Sequence, residues 1–122
     1  MKIAGIQFAC TSDKDKNVEN ALRTVDAAIS NGANIACFQE LFNLSWFPKD
    51  RNEEAFKLAE SVNGSTVNAM REKAKSAGIV LLLPIFEKNE NQLYNSCVVI
   101  DEKGEITGIY RKNHIPDIPL WE

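Results

Sequence analysis

The chain has few of the residues that hold metal ions or cross-link small folds. Its 122 residues include three cysteines and one histidine, and no two cysteines are spaced as a C-x-x-C pair. An odd number of cysteines forms no complete disulfide set, and a structural zinc site needs a full set of Cys and His ligands at short spacings. We therefore expect reduced thiols, no metal site and no cofactor.

The sequence also lacks an excess of charge of one sign and any long apolar run. Its net charge is -3, from 14 basic and 17 acidic residues, and the basic residues are scattered among acids. Nucleic-acid-binding surfaces need clustered Lys and Arg, and a membrane-spanning helix needs about 20 apolar residues in a row. The N-terminus shows no signal-peptide pattern. We expect a cytoplasmic protein that binds neither nucleic acid nor a membrane.

The first third of the chain predicts a strand, a helix and a second strand. Residues 2–8 alternate as a strand does, and Ile35–Phe38 is continuously apolar, which predicts burial on both faces of a sheet. Between them, residues 11–13 offer helix N-caps and Gly32 a C-terminal cap. The apolar stripe of this helix consists of Val18, Ala21, Leu22, Val25, Ala28 and Ile29.

The middle of the chain predicts two further helices and a third strand. The helices cover about residues 52–62 and a segment that begins at Ser65 and ends at Gly78, where glycine is favoured as a cap. The third strand covers residues 79–86. Pro84 within it indicates a bulge or an edge, because proline donates no hydrogen bond to a neighbouring strand.

The last part predicts a hairpin. Residues 93–100 and 105–110 read as strands joined by a turn in which Gly104 supplies a positive φ angle. The resulting order is strand, helix, strand, helix, helix, strand, strand, strand. Such an order predicts a single α/β domain with a layered sheet.

Two oppositely charged residues directly follow predicted strands. Glu40 comes after Ile35–Phe38, and Lys112 comes after the strand of residues 105–110. Because side chains at the carboxyl ends of strands converge on a crevice, these residues are candidates for chemistry. The alternatives are a solvated acid at a strand end and a solvated basic cluster over residues 111–114.

The apolar neighbours of Glu40 favour a functional role. Phe38, Leu41 and Phe42 surround it in the sequence, and apolar surroundings raise the pKa of a carboxylate toward that of a general base. His114 follows Lys112 closely and is interpreted as a hydrogen-bonded support rather than a base. None of the cysteines lies at a sharp strand-to-helix turn, so a catalytic thiol among the three is not expected.

Four segments together resemble the nitrilase, or carbon-nitrogen hydrolase, superfamily. They are Gln7 in the first strand, residues 38–40, residues 93–96 and residues 108–114, in the family's order and at its usual separations. The resemblance covers all 122 residues but somewhat less than half of a family domain. It implies the N-terminal part of an αββα sandwich, with a mixed sheet and helices on one face.

The resemblance also implies roles for individual residues. Those enzymes use a Glu, Lys, Cys triad, so Glu40 would be the general base and Lys112 the cation that faces the tetrahedral intermediate. Asn95, His114 and Glu122 would support them, with Glu122 matching a second glutamate that some members carry. The nucleophilic cysteine would lie after the last residue, so residues 1–122 would form a partial domain that is inactive alone.

Three segments, residues 85–88, 93–95 and 114–117, are most similar to the N-carbamoylputrescine amidase branch, followed by the β-ureidopropionase branch. The substrate implied is a small amide or an N-carbamoyl amine. With the opposite layer absent, the sheet face formed by residues 79–86 and 93–100 would be partly uncovered. Exposed apolar surface favours association, so a homo-oligomer is expected.

Two other functions stay open from the sequence. The first is a non-catalytic binding domain of flavodoxin-like topology, in which Glu40 and Lys112 would simply form an ion pair. It would need a glycine-rich phosphate-binding turn after the first strand, and residues 10–13 contain no glycine. The second is a regulatory pseudoenzyme that ends at Glu122.

Overall fold

A five-stranded mixed sheet forms the centre of the computed structural model, which describes residues 1–48 and 53–116. The strands lie in chain order, with β1 to β3 parallel and β3 to β5 antiparallel. Their bounds are β1 Ile3–Ile6, β2 Ile35–Phe38, β3 Val80–Asn89, β4 Gln92–Ile100 and β5 Ile106–Arg111. The predicted α/β class with a mixed sheet is confirmed.

Two α-helices connect the parallel strands. Helix α1, Lys14–Ser30, begins after Asp13, whose side chain accepts a hydrogen bond from the backbone N–H of Lys16 at 3.1 Å. Helix α2, Ser65–Ala77, ends at Gly78, which has the left-handed φ of 64° that a C-terminal cap requires. Asp13 thus marks the beginning of α1, and Gly78 marks the end of α2, where the chain turns back into the sheet.

Both helices pack on the same face of the sheet, as predicted. Their apolar stripes and the inward residues of the strands form one continuous core, which the hydrophobic effect stabilises. The helical residues of this core that are fully buried are Ala21, Val25, Val67, Met70 and Ala74. The strand residues buried against them include Ala36, Phe38, Leu81, Leu83, Ile85, Val98 and Ile100.

The opposite face of the sheet is only half covered. Cys37, Leu82 and Val99 lie side by side on it in the strand register, and each is partly exposed. The prediction that β2 is buried on both faces is therefore wrong for the described residues, because no layer packs over Ile35 and Cys37. Because β2 is apolar on both faces, the face that carries Ile35 and Cys37 is suited to pack against a further layer.

Strand β1 is shorter than predicted, Ile3–Ile6 instead of residues 2–8, and two further elements differ in length. Strand β3 continues past Phe86 because its hydrogen-bonded pairing with β4 extends through a polar hairpin end, as far as the pair Asn89 and Gln92. The helix predicted for residues 52–62 is a short 3₁₀ helix, Glu53–Leu58. In both cases the apolar pattern alone set the predicted boundary.

The strand order excludes the flavodoxin-like alternative. In that topology the first strand lies inside the sheet, between the second and the third. Among the described strands, β1 lies at an edge and pairs with β2 alone. Strand β2 pairs with β3 only from Val80 to Leu82, so Pro84 lies where β3 has lost that neighbour, in keeping with the predicted edge.

Candidate active site

Glu40 and Lys112 meet in space although 72 positions separate them in the chain. The Nζ atom of Lys112 lies 3.0 Å from Oε1 of Glu40. The side chain of Lys112 is 39% exposed and that of Glu40 is 40% exposed, so a small molecule in solution can reach both. The structure thus brings Glu40 and Lys112 together at the carboxyl ends of β2 and β5.

Asn95 of β4 completes this group, which we call the Glu40 cluster: Glu40, Asn95 and Lys112. The Nδ2 atom of Asn95 donates to Oε1 of Glu40 at 2.6 Å, and its backbone oxygen accepts from the Lys112 backbone N–H at 2.8 Å. Both side-chain donors use Oε1, so neither occupies the Oε2 atom of Glu40. That oxygen is positioned to accept a proton while the other is held.

The residue after Glu40 has an unusual backbone. Leu41 adopts φ 54°, in the left-handed region that bulky residues avoid, at a cost of about 1–3 kcal/mol. Its side chain is buried with Leu44, Phe86 and Phe47 in a small apolar cluster, which holds the chain in this turn. Glu40 lies in this turn, two residues after the last residue of β2.

A buried polar network holds the segment after the turn. Asn43 is 1% exposed and donates through Nδ2 to Oε1 of Glu60 at 2.7 Å and to Oγ1 of Thr66 at 3.3 Å. Its backbone oxygen accepts from Asn17 of α1 at 3.1 Å, and Lys14 lies 3.2 Å from Glu60. Both helices therefore fix the loop that presents Glu40. The sequence interpretation missed these residues because buried Asn and Glu resemble surface residues in a pattern of apolar spacing.

Gln39 ties the ends of β1 and β2 together. Its side chain accepts from the Phe8 backbone N–H at 2.7 Å and donates to the Phe8 oxygen at 2.6 Å. It also donates to the sulfur of Cys10 at 3.4 Å, while the Cys10 thiol donates to the Phe42 oxygen at 3.0 Å. Burial raises the pKa of the Cys10 thiol, and the Gln39 contact only partly opposes this.

The expectation that apolar residues enclose Glu40 is wrong in the described part of the chain. Phe38 and Phe42 are 4% and 0% exposed because their rings pack together in the core, with centroids 4.6 Å apart. They lie beneath the loop and do not cover the carboxylate. What contacts the Glu40 carboxylate is a pair of polar donors, Asn95 and Lys112.

A second charged group lies on the other face of the same strands. Glu87 of β3 is 1% exposed and receives two hydrogen bonds from Arg111, at 2.9 Å from Nε and 2.6 Å from Nη2. Ser96 Oγ donates to it as well, and Arg111 lies over the ring of Tyr94, 4.0 Å from its centroid. The Arg111 hydrogen bonds lower the pKa of Glu87 below its ordinary value, against the opposing effect of burial.

Among the described residues, the predicted supporting residue His114 does not join the Glu40 cluster. His114 is exposed and forms no side-chain hydrogen bond or ion pair within residues 1–48 and 53–116. Glu122 lies outside the described residues. Cys37 and Cys97 lie inside strands on the half-covered face, and burial raises the pKa of the Cys97 thiol. In the described part of the chain no three His, Cys, Asp or Glu residues are grouped to hold a metal ion, and no helix there could span a membrane.

The chain has recognisable relatives. The family profile described as carbon-nitrogen hydrolase matches residues 2–122. The chain is 44% identical over 121 residues to an N-carbamoylputrescine amidase of Solanum lycopersicum, covering 98% of this chain and 40% of that protein. It is 35% identical over 118 residues to a citrullinase of Francisella tularensis subsp. tularensis, covering 96% of this chain and 41% of that protein.

The fold has a match among solved structures too. The crystal structure of a carbon-nitrogen hydrolase from Helicobacter pylori G27 superposes with a TM-score of 0.88 at 28% identity, over 96% of this chain and 41% of that one. The chain thus spans about 40% of the length of the curated amidases that it matches.

Proposed function

The chain belongs to the carbon-nitrogen hydrolase family, and on that premise we propose that it carries the general base and the oxyanion-binding cation of an amidase. The substrate proposed is a small non-peptide amide or an N-carbamoyl amine similar to N-carbamoylputrescine. The observation that carries this proposal is the 3.0 Å contact between Lys112 and Glu40 at an exposed edge of the sheet.

Glu40 is proposed to move protons in both halves of the reaction. It accepts the thiol proton as the sulfur attacks the carbonyl carbon, and it gives that proton to the departing ammonia or amine. An acyl-enzyme remains, and Glu40 then activates the water that hydrolyses it. The unused Oε2 atom suits this role, because Asn95 and Lys112 hold the carboxylate only through Oε1.

Lys112 is proposed to stabilise the negative oxygen of the tetrahedral intermediate. A fixed cation at such a position acts on charge that develops only in the transition state, and one such donor is worth about 3–4 kcal/mol in a dry site. The hydrogen bond from the Lys112 backbone to Asn95 fixes the base of its side chain. A layer over the half-covered face would exclude water from this position.

The nucleophile is proposed to be none of the three cysteines of this chain. Cys37 and Cys97 lie within strands, and the Cys10 thiol donates a hydrogen bond to the Phe42 backbone oxygen. The raised pKa values of Cys10 and Cys97 disfavour the reactive thiolate. We therefore propose that the chain of 122 residues is inactive by itself.

Ammonia release tests the proposed function. The native gene product, at its full length, would be incubated separately with N-carbamoylputrescine, N-carbamoyl-β-alanine, citrulline and simple aliphatic amides. We expect hydrolysis of at least one of them, with N-carbamoylputrescine preferred, because the amidases of that name are the most similar among the relatives above. Absence of ammonia from every substrate would contradict the proposal.

A further inference from the structure

We propose that Glu87, Ser96 and Arg111, which we call the opposite-face cluster, position Lys112 and Asn95 for the reaction. Glu87 is then a positioning residue that never touches the substrate. The inference rests on the proposed function, since it explains how the residues of the Glu40 cluster are held. It rests on the order of residues along β4 and β5 and on the contacts of the buried Glu87 carboxylate.

The two clusters use neighbouring residues of the same strands. Successive side chains of a strand point to opposite faces, so Ser96 lies behind Asn95, and Arg111 lies behind Lys112. Each residue that contacts Glu40 from β4 or β5 is therefore the chain neighbour of a residue that contacts Glu87. A displacement of Ser96 or Arg111 on one face therefore reaches Asn95 or Lys112 on the other face through a single peptide unit.

Strand register makes this coupling direct. Ser96 and Arg111 are paired across β4 and β5, and they are the last pair of that ladder. The next hydrogen bond, from Lys112 to Asn95, lies beyond it at the end of β5. A strand end held by a single hydrogen bond frays readily. The bidentate contact of Arg111 with Glu87 stabilises the end of β5.

Burial distinguishes the carboxylates of the two clusters, whereas Arg111 and Lys112 are exposed to about the same extent. The side chain of Glu87 is 2% exposed, whereas that of Glu40 is 40% exposed. The backbone around Glu87 is also fixed from the other side, where Glu60 accepts from the Lys88 N–H at 2.8 Å and donates to the Phe86 oxygen at 3.0 Å. Lys112 is thus the chain neighbour of a residue that binds a buried carboxylate.

The test must separate positioning from a purely structural contribution. Glu87→Gln keeps the shape of the side chain and removes its charge, and Arg111→Lys keeps the charge but loses the two-pronged contact. The matched control is Glu105→Gln, which breaks the 3.4 Å pair with Arg71 at the opposite end of the same hairpin. Turnover is measured in the full-length gene product at temperatures where circular dichroism shows each variant to be folded.

We expect Glu87→Gln and Arg111→Lys to lower kcat by about 10- to 100-fold, the cost of a displaced catalytic group, with KM within about twofold of the wild-type value. In the 122-residue chain, hydrogen exchange of the Lys112 amide should accelerate in both variants. Glu105→Gln should change neither quantity. If Glu87→Gln does not fold, Ser96→Ala, which removes one donor to Glu87, replaces it in both measurements.

A folded Glu87→Gln variant with wild-type kcat, or with unchanged exchange at Lys112, would overturn the inference. The exchange measurement needs no activity, so it distinguishes this failure from failure of the proposed function. If the wild-type protein released no ammonia, the amidase assignment would fall. Faster exchange at Lys112 in Glu87→Gln, but not in Glu105→Gln, would still support the positioning role.

Discussion

Arg111 and Lys112 are adjacent in the chain, yet they bind carboxylates on opposite faces of the sheet. Arg111 lies 2.6 Å from Glu87 on the helix-covered face, and Lys112 lies 3.0 Å from Glu40 on the half-covered face. The Glu87 carboxylate is buried, although the Arg111 side chain is 38% exposed, whereas both side chains of the Glu40 pair are accessible. This division separates the contact that holds the end of β5 from the contact that is available for chemistry.

The buried carboxylate of Glu87 should make stability depend on pH. Because Arg111 lowers the pKa of Glu87 in the folded state, the folded protein holds that proton more weakly than the unfolded chain does. The resulting stabilisation is complete above the ordinary glutamate value of 4.5 and is lost as the pH falls through the lower folded-state value. Urea unfolding of the wild type and Glu87→Gln from about pH 7 to pH 3 measures it.

The difference in unfolding free energy between these two proteins should be largest near neutral pH and should shrink in acid. Glu105→Gln serves as the control, since it removes a carboxylate whose side chain is 68% exposed and paired at 3.4 Å. An exposed pair of this kind contributes about 1 kcal/mol or less. A difference for Glu87→Gln that stayed constant down to the lowest pH would contradict the assignment of the stabilisation to its charge.

The difference in burial between the two faces of the sheet should be measurable with a pair of leucine variants. Leu83→Ala removes a fully buried side chain beneath the helices and should lower the unfolding free energy by about 2–5 kcal/mol. Leu82→Ala, one residue away on the half-covered face, should cost clearly less, because that side chain is still partly in contact with water. Chemical denaturation of the 122-residue chain measures both values. Equal losses would show that both faces are covered.

The cysteines should react slowly with alkylating reagents. Burial raises the pKa values of Cys10 and Cys97 above the ordinary thiol value of 9.0, so little thiolate is present near neutral pH. Iodoacetamide labelling at about pH 8, followed by mass spectrometry, should modify both residues more slowly than the same residues of the urea-unfolded chain. Labelling of folded Cys10 at the unfolded rate would contradict its burial and its bond to Phe42.

Much of the fold follows from local patterns that the structure keeps. The apolar run Ile35–Phe38 coincides with β2, and Gly78 and Gly104 take the left-handed conformations that their turns require. The meeting of Glu40 and Lys112 also follows from pattern, since Lys112 directly follows β5 and Glu40 comes two residues after the end of β2. A strand end fixes which edge of the sheet a side chain reaches, even when the partner is distant in the sequence.

The buried polar residues could not be predicted in the same way. Asn43 and Glu60 become buried only because two helices and a loop converge on them, which no short-range spacing indicates. Glu87 did leave a signal, because it continues the inward alternation of Leu83 and Ile85 along β3. The signal is visible only once β3 and β4 are recognised as a hairpin, with Glu87 opposite Tyr94.

The most direct test of the account is the turnover of two variants in the full-length gene product. Glu40→Gln removes the proton acceptor, and Lys112→Ala removes the cation that contacts it at 3.0 Å. Each should lower kcat by at least about a hundredfold, since base catalysis and oxyanion stabilisation each contribute that much.

Both variants should remain folded, because the contact between Glu40 and Lys112 is exposed and contributes little to stability. Glu105→Gln, in a pair away from the Glu40 cluster, should keep wild-type turnover. Ammonia release that disappears in both variants and persists in Glu105→Gln is the predicted result. A wild-type rate in folded Glu40→Gln or Lys112→Ala would contradict the account.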